Sequence, residues 1–348
     1  MLCDPVHLWL LRLCDPTGGS VWPARRLDLA GLTRLLRLAD EHGVTGAVLA
    51  NVNAIFAGEG RQRLLRESAQ PSDGRALDAA LRDARQRWFD FLAMTLSLRQ
   101  RAQQVREAFR SAGVPAALVK GEDFADRLYR PSGLRPFRDI DLMLPREAMP
   151  DAARIMAALG YREVRGQVKY QSDYGEQTWD SLTAPRTRVE LHWNLINSPA
   201  QRRHSSLTYE SLQWEQTTLD GQPALRATPA AMLLIAAVHA VLGHRFDRLQ
   251  HLCDIRQICR AQAGPVDVDW LRGAAAQCGT TASLQGALEV SARLLQDSAA
   301  GGVRHRLGLP AAISPWRWLV RDSTLLRPET AINKLRRTAV REWMKRAA

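Results

Sequence analysis

The sequence is poor in cysteine, in aromatic residues and in long apolar runs. Its 348 residues include five cysteines and no CxxC pair, which favours reduced thiols over a disulfide framework. No uninterrupted apolar run is long enough for a membrane-spanning helix. The apolar stretch 6–13 is short, follows Asp4 and contains Arg12, so it is not typical of a signal peptide. We therefore predict a cytoplasmic protein with no membrane partner.

Basic residues outnumber acidic ones, with 48 Lys and Arg against 36 Asp and Glu and a formal net charge of +12. Such a balance favours polyanionic partners such as nucleotides or RNA. General use of arginine on solvated helix faces explains the charge equally well, because the basic residues do not gather into one run. Both interpretations stay open at this point.

Three regions differ in their patterns. Residues 1–112 are predicted to be an N-terminal helical region, because leucines and aromatic residues recur there at helical spacing. Residues 113–225 alternate short strand and helix candidates, which predicts a small mixed α/β core. Residues 226–348 are predicted to be helical again, beginning with Thr228 as the N-cap and Pro229 in the first turn. The predicted fold class is therefore α+β.

The most informative pattern is the acidic pair Asp139 and Asp141. On a strand, residues two apart point the same way, so both carboxylates share one face while Ile140 points to the other. Two acids held so close repel each other unless a cation lies between them, and Mg²⁺ prefers carboxylate and phosphate oxygens. Glu190, on a later strand candidate, is the best third acid for a two-metal site.

An acidic pair of this kind is weak evidence alone, because most such pairs are solvent-facing strand positions. Lys120 and Gly121 strengthen it, since they occupy a predicted turn from strand to helix. Glycine lets the backbone approach a phosphate closely, and a helix N-terminus favours negative charge. We therefore predict a phosphate-binding turn beside the acids.

Taken in order, these segments resemble the uncharacterised nucleotidyltransferase family of the DNA polymerase β-type superfamily. The resemblance covers about residues 30 to 275 and includes His239, His244 and Asp254. The segments that carry it are Leu118-Val119-Lys120-Gly121, Arg135-Pro136, Asp139-Ile140-Asp141-Leu142-Met143-Leu144, Gly160-Tyr161 and Val189-Glu190-Leu191-His192-Trp193.

The resemblance implies a polymerase-β-type core, a nucleoside triphosphate as donor and two divalent ions, Mg²⁺ with Mn²⁺ as the alternative. It makes Asp139, Asp141 and Glu190 the catalytic metal ligands, with Glu190 helping to activate the acceptor. The wider superfamily has Gly-Ser where this chain has Gly121-Glu122, so a phosphate-binding hydroxyl is missing. Glu122 must turn away from a bound triphosphate. Phe137-Arg138 also replaces smaller residues before the acidic pair. Neither departure removes a metal ligand.

Four further side chains are candidates for nucleotide binding beside Gly121. Lys120 could bind phosphate as a point charge, although a lysine at a strand end often reaches solvent. Arg135 and Arg138 could clamp phosphates or be ordinary loop arginines. His192 shares the strand face of Glu190, where it could contact substrate or serve structure.

A zinc site is not predicted from His239, His244 and His251. Their spacings of five and seven residues do not match the two-histidine helical metal motif, and no cysteine completes a set. We expect His239 and Asp254 to tie helices together instead.

The function predicted from the sequence is transfer of a nucleoside monophosphate to an acceptor hydroxyl or phosphate. The acceptor could be RNA such as the end of a tRNA, a peptide or protein, or a small molecule, and the net charge favours RNA. Two alternatives stay open: an inactive member of the fold that binds RNA or nucleotides, and a kinase-like enzyme that transfers the γ-phosphate.

Overall fold

The computed structural model describes residues 4–17, 27–57, 60–66, 73–164, 173–309, 316–321, 325–326 and 330–347. The helices of these residues are α1 (Pro5–Leu13), α2 (Leu29–Glu41), α3 (Thr45–Ala57), α4 (Gly60–Arg66), α5 (Asp73–Ser111), α6 (Gly121–Leu128), α7 (Met149–Ala158), α8 (Pro199–Arg202), α9 (Pro229–Val238), α10 (Leu249–Cys259), α11 (Val268–Gln277), α12 (Thr281–Leu295), α13 (Ser298–Arg306), α14 (Trp316–Leu319) and α15 (Ala331–Ala347). The strands are β1 (Ala117–Leu118), β2 (Ile140–Met143), β3 (Tyr161–Glu163), β4 (Glu176–Ser181), β5 (Arg188–His192), β6 (Trp214–Leu219) and β7 (Gln222–Ala227).

The strands form one mixed sheet in the order β3-β4-β5-β2-β1-β7-β6. Two neighbouring pairs, β2 with β5 and β1 with β7, are parallel, and the other pairs are antiparallel. The shortest strand, β1, leads directly into α6, and β2 lies beside it. The acidic strands therefore lie at the centre of the sheet, next to the turn that precedes α6.

One face of the sheet is packed as an apolar core. Its strand residues include Ile140, Leu142, Val189 and Leu191, all buried. The C-terminal half of α5 and helix α7 cover this face. Since side chains alternate along a strand, Asp141 and Glu190 are left on the opposite face.

A second and larger core joins the two helical regions. Helix α1 packs against α2, α3 and α12, so the N-terminal helices contact the C-terminal ones. The link continues at His42, whose carbonyl oxygen accepts a hydrogen bond from Gln250 N at 3.2 Å. The 39-residue α5 contributes to both cores, with Leu77 in the helical core and Phe109 in the sheet core.

The α+β class and the mixed sheet are as predicted. The strand and helix candidates of residues 113–225 are 116–119, 139–144, 161–164 and 188–193 for strands and 122–129 and 150–159 for helices. They form as β1, β2, β3 and β5 and as α6 and α7. Thr228 caps α9, where its side chain accepts a hydrogen bond from Ala231 N, and Pro229 stands in the first turn. The boundaries proposed at 112/113 and 225/226 stay predictions. Strands β4, β6 and β7 were not anticipated.

Candidate active site

Asp141 and Glu190 lie directly opposite each other on the parallel pair β2 and β5. Side chains at opposed positions of neighbouring strands project from the same face of the sheet. Asp139 comes immediately before β2 and is half-buried. The strand register thus brings the third predicted acid beside the acidic pair.

Lys120 neutralises part of this acidic group. Its Nζ atom lies 2.7 Å from Asp141 Oδ1, and both side chains are buried. The lysine precedes α6 with φ 55° and ψ −130°, a backbone conformation that is uncommon for residues other than glycine. The strained turn directs the ammonium group toward the acids. Lys120, which the sequence predicted as a phosphate-binding side chain, therefore lies in the site.

His192 of β5 lies between two acids, Asp141 of β2 and Glu176 of β4. Its Nε2 atom is 2.9 Å from Asp141 Oδ1 and 3.4 Å from Lys120 Nζ, while Nδ1 is 3.4 Å from Glu176 Oε2. Asn197 Nδ2 donates a hydrogen bond of 2.6 Å to the same Glu176 oxygen. Glu176 is a fourth acid that the sequence prediction missed, because β4 was not recognised as a strand.

The carboxyl groups differ in their protonation. Burial, reinforced by the charges of Asp141 and Glu176, raises the pKa of Glu190 to about 9. Burial and the charge of Asp141 also raise the pKa of Asp139. Burial opposes ionisation of Asp141 as well, but the ammonium group of Lys120 and the hydrogen bond with His192 outweigh it and lower the pKa of Asp141. Full ionisation of the group requires additional positive charge.

Gly121 leaves space in front of the acids. A Cβ atom at this position would lie 3.4 Å from the Asp139 carbonyl oxygen and 3.5 Å from Asp141 Oδ2. The next residue, Glu122, turns away from the acids, and its Oε2 atom accepts a hydrogen bond of 2.6 Å from Arg106 of α5. The departure from Gly-Ser thus places no carboxylate at the predicted phosphate turn.

Arg135 is a buried tie between the sheet region and α10. Its Nε and Nη2 atoms donate hydrogen bonds of 2.8 Å to the two oxygens of Asp254, and Nη1 donates one of 2.9 Å to the Gly121 carbonyl oxygen. Tyr129 also donates to Asp254, at 2.8 Å. As expected from the sequence, Asp254 connects helices: its hydrogen bonds link α10 to Tyr129 at the end of α6 and to Arg135. A role of Arg135 in binding nucleotide stays a prediction.

A cavity of about 470 Å³ opens in front of the acids, within the size range of small-molecule sites. Arg138 lines it, with its guanidinium carbon 5.0 Å from the ring centre of Phe91. The lining also includes Asp40, Gly43, Thr45, Gly46, Arg87, Trp88, Lys120, Gly121, Arg135, Pro136, Phe137, Asp139, Asp141, Glu190, His239, His244, Arg248, Gln250 and His251. All three regions of the chain therefore contribute walls.

A second cavity of about 290 Å³ also borders the acidic group. Glu176, Glu190 and His192 line it, together with Lys120 and His239, which also line the larger cavity. The acidic group thus borders two cavities.

The residues present fit a divalent cation. Asp141, Glu190 and His192 each offer a ligand atom, and these atoms lie within 4.8 Å of one another. Carboxylate oxygens suit Mg²⁺ or Mn²⁺. A cation here would offset the burial and the neighbouring negative charges that together raise the pKa of Glu190. The open space at Gly121 would admit a phosphate beside it.

The chain belongs to the uncharacterised nucleotidyltransferase family, which matches residues 29–296. The family confirms the resemblance drawn from the motifs and makes the protein a nucleotidyltransferase in the broad sense.

Among solved structures, the chain resembles two of antibiotic-resistance factor ANT(2″)-Ia. The solution structure is 15% identical, with a TM-score of 0.34, and the match covers 50% of this chain and 87% of that one. The crystal structure, in complex with adenylyl-2″-tobramycin, is 17% identical, with a TM-score of 0.34 and coverage of 50% and 92%. No curated protein is significantly similar in sequence. Among the described residues, no helix is both long enough and apolar enough to cross a bilayer.

Proposed function

We propose that the protein transfers a nucleoside monophosphate from a nucleoside triphosphate to an acceptor hydroxyl or phosphate. The observation that carries the proposal is the pairing of Asp141 with Glu190 across β2 and β5, with Asp139 beside them at the edge of a cavity. The family membership supports it.

Asp139, Asp141 and Glu190 are the proposed ligands of two Mg²⁺ ions, with Mn²⁺ as the alternative. When bound, the ions would neutralise the triphosphate and favour ionisation of the acceptor. In the proposed reaction the acceptor oxygen attacks the α-phosphorus, the bond from this phosphorus to the bridging oxygen breaks, and pyrophosphate leaves. Glu190, which lines both cavities, would help remove the acceptor proton once bound cations favour its ionised form.

Other side chains of the site position the donor. Lys120 is the N-cap of α6 and Gly121 is its first residue, and a helix N-terminus favours phosphate. Arg138 lines the larger cavity and its side chain is exposed, so it would contact the phosphates or the base of the donor. His192 holds Asp141 in place through its Nε2 atom.

The acceptor stays within the classes that the sequence indicated: RNA, a peptide or protein, or a small molecule. The net charge of +12 favours RNA. Binding to an RNA acceptor should weaken steeply as salt concentration rises, because counterions are released. A flat salt dependence would favour a small molecule or peptide.

The proposal is tested by following label from the α- or γ-phosphate of each triphosphate into a cell extract. We expect label from the α-position to enter product with Mg²⁺ and the wild-type protein. Asp139→Asn and Asp141→Asn should abolish transfer. Asp180→Asn should retain it, because Asp180 of β4 forms a solvent-accessible ion pair with Arg188 of β5. Transfer of the γ-label would indicate a kinase-like reaction. Metal-dependent nucleotide binding without any transfer would indicate an inactive relative.

A further inference from the structure

Three histidines, which we call the histidine triad, meet at the wall of the larger cavity: His239, His244 and His251. The ring centre of His239 is 4.4 Å from that of His244 and 4.8 Å from that of His251, and the latter two are 4.5 Å apart. One nitrogen of each ring lies within 4.8 Å of one nitrogen of the other two. Three imidazoles this close are a distinct cluster outside the acidic group.

The backbone between the helices brings the rings together. Residues His239–Gly243 form one π-helical turn after α9, a feature that occurs frequently at functional sites. Arg245 and Phe246 follow with φ 52° and 56°, which is costly for residues with side chains. Phe246 is fully buried against Trp316, with ring centres 5.7 Å apart. The packing thus enforces a strained reversal that sets His244 and His251 beside His239.

Two rings of the triad, His239 and His251, disfavour the protonated form. Burial lowers the pKa of His239, where the charge of Lys120 adds to it, and of His251, where the Asp247 carboxylate opposes it. Each neutral ring keeps one nitrogen with an unshared electron pair. Neither ring nitrogen of His251 has a hydrogen-bond partner among the described residues, although the side chain is buried. Unsatisfied buried polar atoms are costly and point to a missing ligand.

Asp247 provides the carboxylate that commonly supports metal-binding histidines. Its side chain lies 3.3 Å from His244 Nδ1 and 3.6 Å from His251 Nε2. The pKa of Asp247 is lowered despite its burial, because His244 and His251 lie against it. These contacts leave the other nitrogens, His244 Nε2 and His251 Nδ1, for a ligand.

We propose that the histidine triad binds one divalent transition-metal ion of the Zn²⁺ class, with an open coordination position facing the cavity. Three imidazoles suit Zn²⁺, whose sites with three protein ligands keep a fourth position open. Mg²⁺ prefers oxygen ligands, so the triad and the acids select different ions. The open position is a site for an oxygen or nitrogen atom of a molecule in the cavity.

The test uses the full chain with the acids disabled, Asp141→Asn/Glu190→Gln, so that the acidic group does not contribute. Cobalt(II) replaces zinc and reports a tetrahedral nitrogen site by its visible spectrum. We expect one cobalt ion per chain with a tetrahedral spectrum, displaced by zinc. His244→Ala and His251→Ala should each weaken binding by more than about 100-fold, and Asp247→Asn by about 10- to 100-fold. The exposed His305 on α13 supplies a control, and His305→Ala should change nothing.

A variant that gains a spectroscopic band distinguishes loss of metal binding from failure to fold. His251→Cys should keep the cobalt ion and add a thiolate-to-cobalt band in the near ultraviolet. Absence of a tetrahedral spectrum in the acid-disabled chain overturns the proposal, as do unchanged affinities in the triad variants. Binding of inorganic phosphate at the triad in place of cobalt also overturns it. Because the acid-disabled chain is used, failure here is independent of the proposed transfer reaction.

Discussion

The Lys120 ammonium group and the Asp141 carboxylate form a buried ion pair of 2.7 Å at the centre of the acidic group. Removing one partner of a buried pair leaves an uncompensated charge and costs about 3–5 kcal/mol. Lys120→Met should therefore lower the thermal unfolding midpoint in the presence of a chelator. Mg²⁺ should raise the midpoint of this variant more than that of the wild type, because the ion replaces the lost positive charge.

Thermal unfolding with chelator and with Mg²⁺ measures both effects. Lys334→Met, at an exposed position of α15, is the matched control and should change stability by less than about 0.5 kcal/mol. Equal stability of Lys120→Met and wild type in chelator would show that the pair does not stabilise the fold.

Gly121→Ala tests the space in front of the acids. The added methyl group would make ordinary contacts with Asp139 and Asp141, so we expect the unfolding midpoint to stay near that of the wild type. It would also occupy the approach of a phosphate, and a displacement of about 1 Å can cost about 100-fold in rate. We therefore expect kcat/KM for the triphosphate to fall by about 10- to 100-fold. Gly273→Ala in α11, where an added methyl group meets none of the described residues within 4 Å, should keep full activity. Equal kcat/KM values would remove Gly121 from the site.

Arg135 and Asp254 should behave as one energetic unit. Arg135→Met leaves the buried Asp254 carboxylate without its ion-pair partner and should lower the free energy of unfolding by about 3–5 kcal/mol. Arg135→Met/Asp254→Leu should lower it by less than the sum of the two single changes. Denaturant unfolding of the four proteins measures the coupling free energy. The KM of the double variant for the triphosphate separates roles: a normal KM assigns Arg135 to structure, and a raised KM supports nucleotide binding. Additive losses would contradict the coupling.

The buried carboxyl group of Glu122 should make the free energy of unfolding depend on pH. Burial raises its pKa from the ordinary 4.5 to about 7, although Arg106 opposes the shift. Between these values the folded protein holds a proton that the unfolded chain releases, so this group's contribution to stability falls as pH rises. The difference between about pH 5 and pH 8 is on the order of 1–3 kcal/mol.

Denaturant unfolding at these two pH values checks this expectation. Glu122→Gln should lose the contribution, so its stability should fall less with pH than that of the wild type. Glu210→Gln, at an exposed position, should follow the wild type. Identical pH dependence of wild type and Glu122→Gln would refute the assignment.

The sequence was sufficient to find the acidic strand because its pattern is local. Ile140 and Leu142 alternate with Asp139 and Asp141, and this period has one structural interpretation. The hairpin β6–β7 was missed although Asp220-Gly221 marks its turn, with φ 51° and 75°, a pair typical of tight hairpins. Strand β4 is mostly polar and half-buried, so neither period nor composition distinguishes it. Glu176 was lost with it.

Long-range relationships were beyond local pattern. Arg135 and Asp254 are 119 positions apart, so the sequence could not choose between a phosphate clamp and an ion pair. The spacing argument against the histidine triad assumed a regular helix. The π-helical turn after His239 and the left-handed residues Arg245 and Phe246 change that geometry. Only tertiary packing reveals this arrangement.

Asp141 and Glu190 face each other across β2 and β5. This pairing restricts insertions and deletions in the part of the gene that encodes β5. Inserting or deleting one codon within β5 would exchange its two faces. Val189 or Leu191 would then stand beside Asp141, and the Glu190 carboxylate would enter the apolar layer beneath α7. Activity and folding would fail together, so length variation at this strand is confined to the segments that connect it to its neighbours.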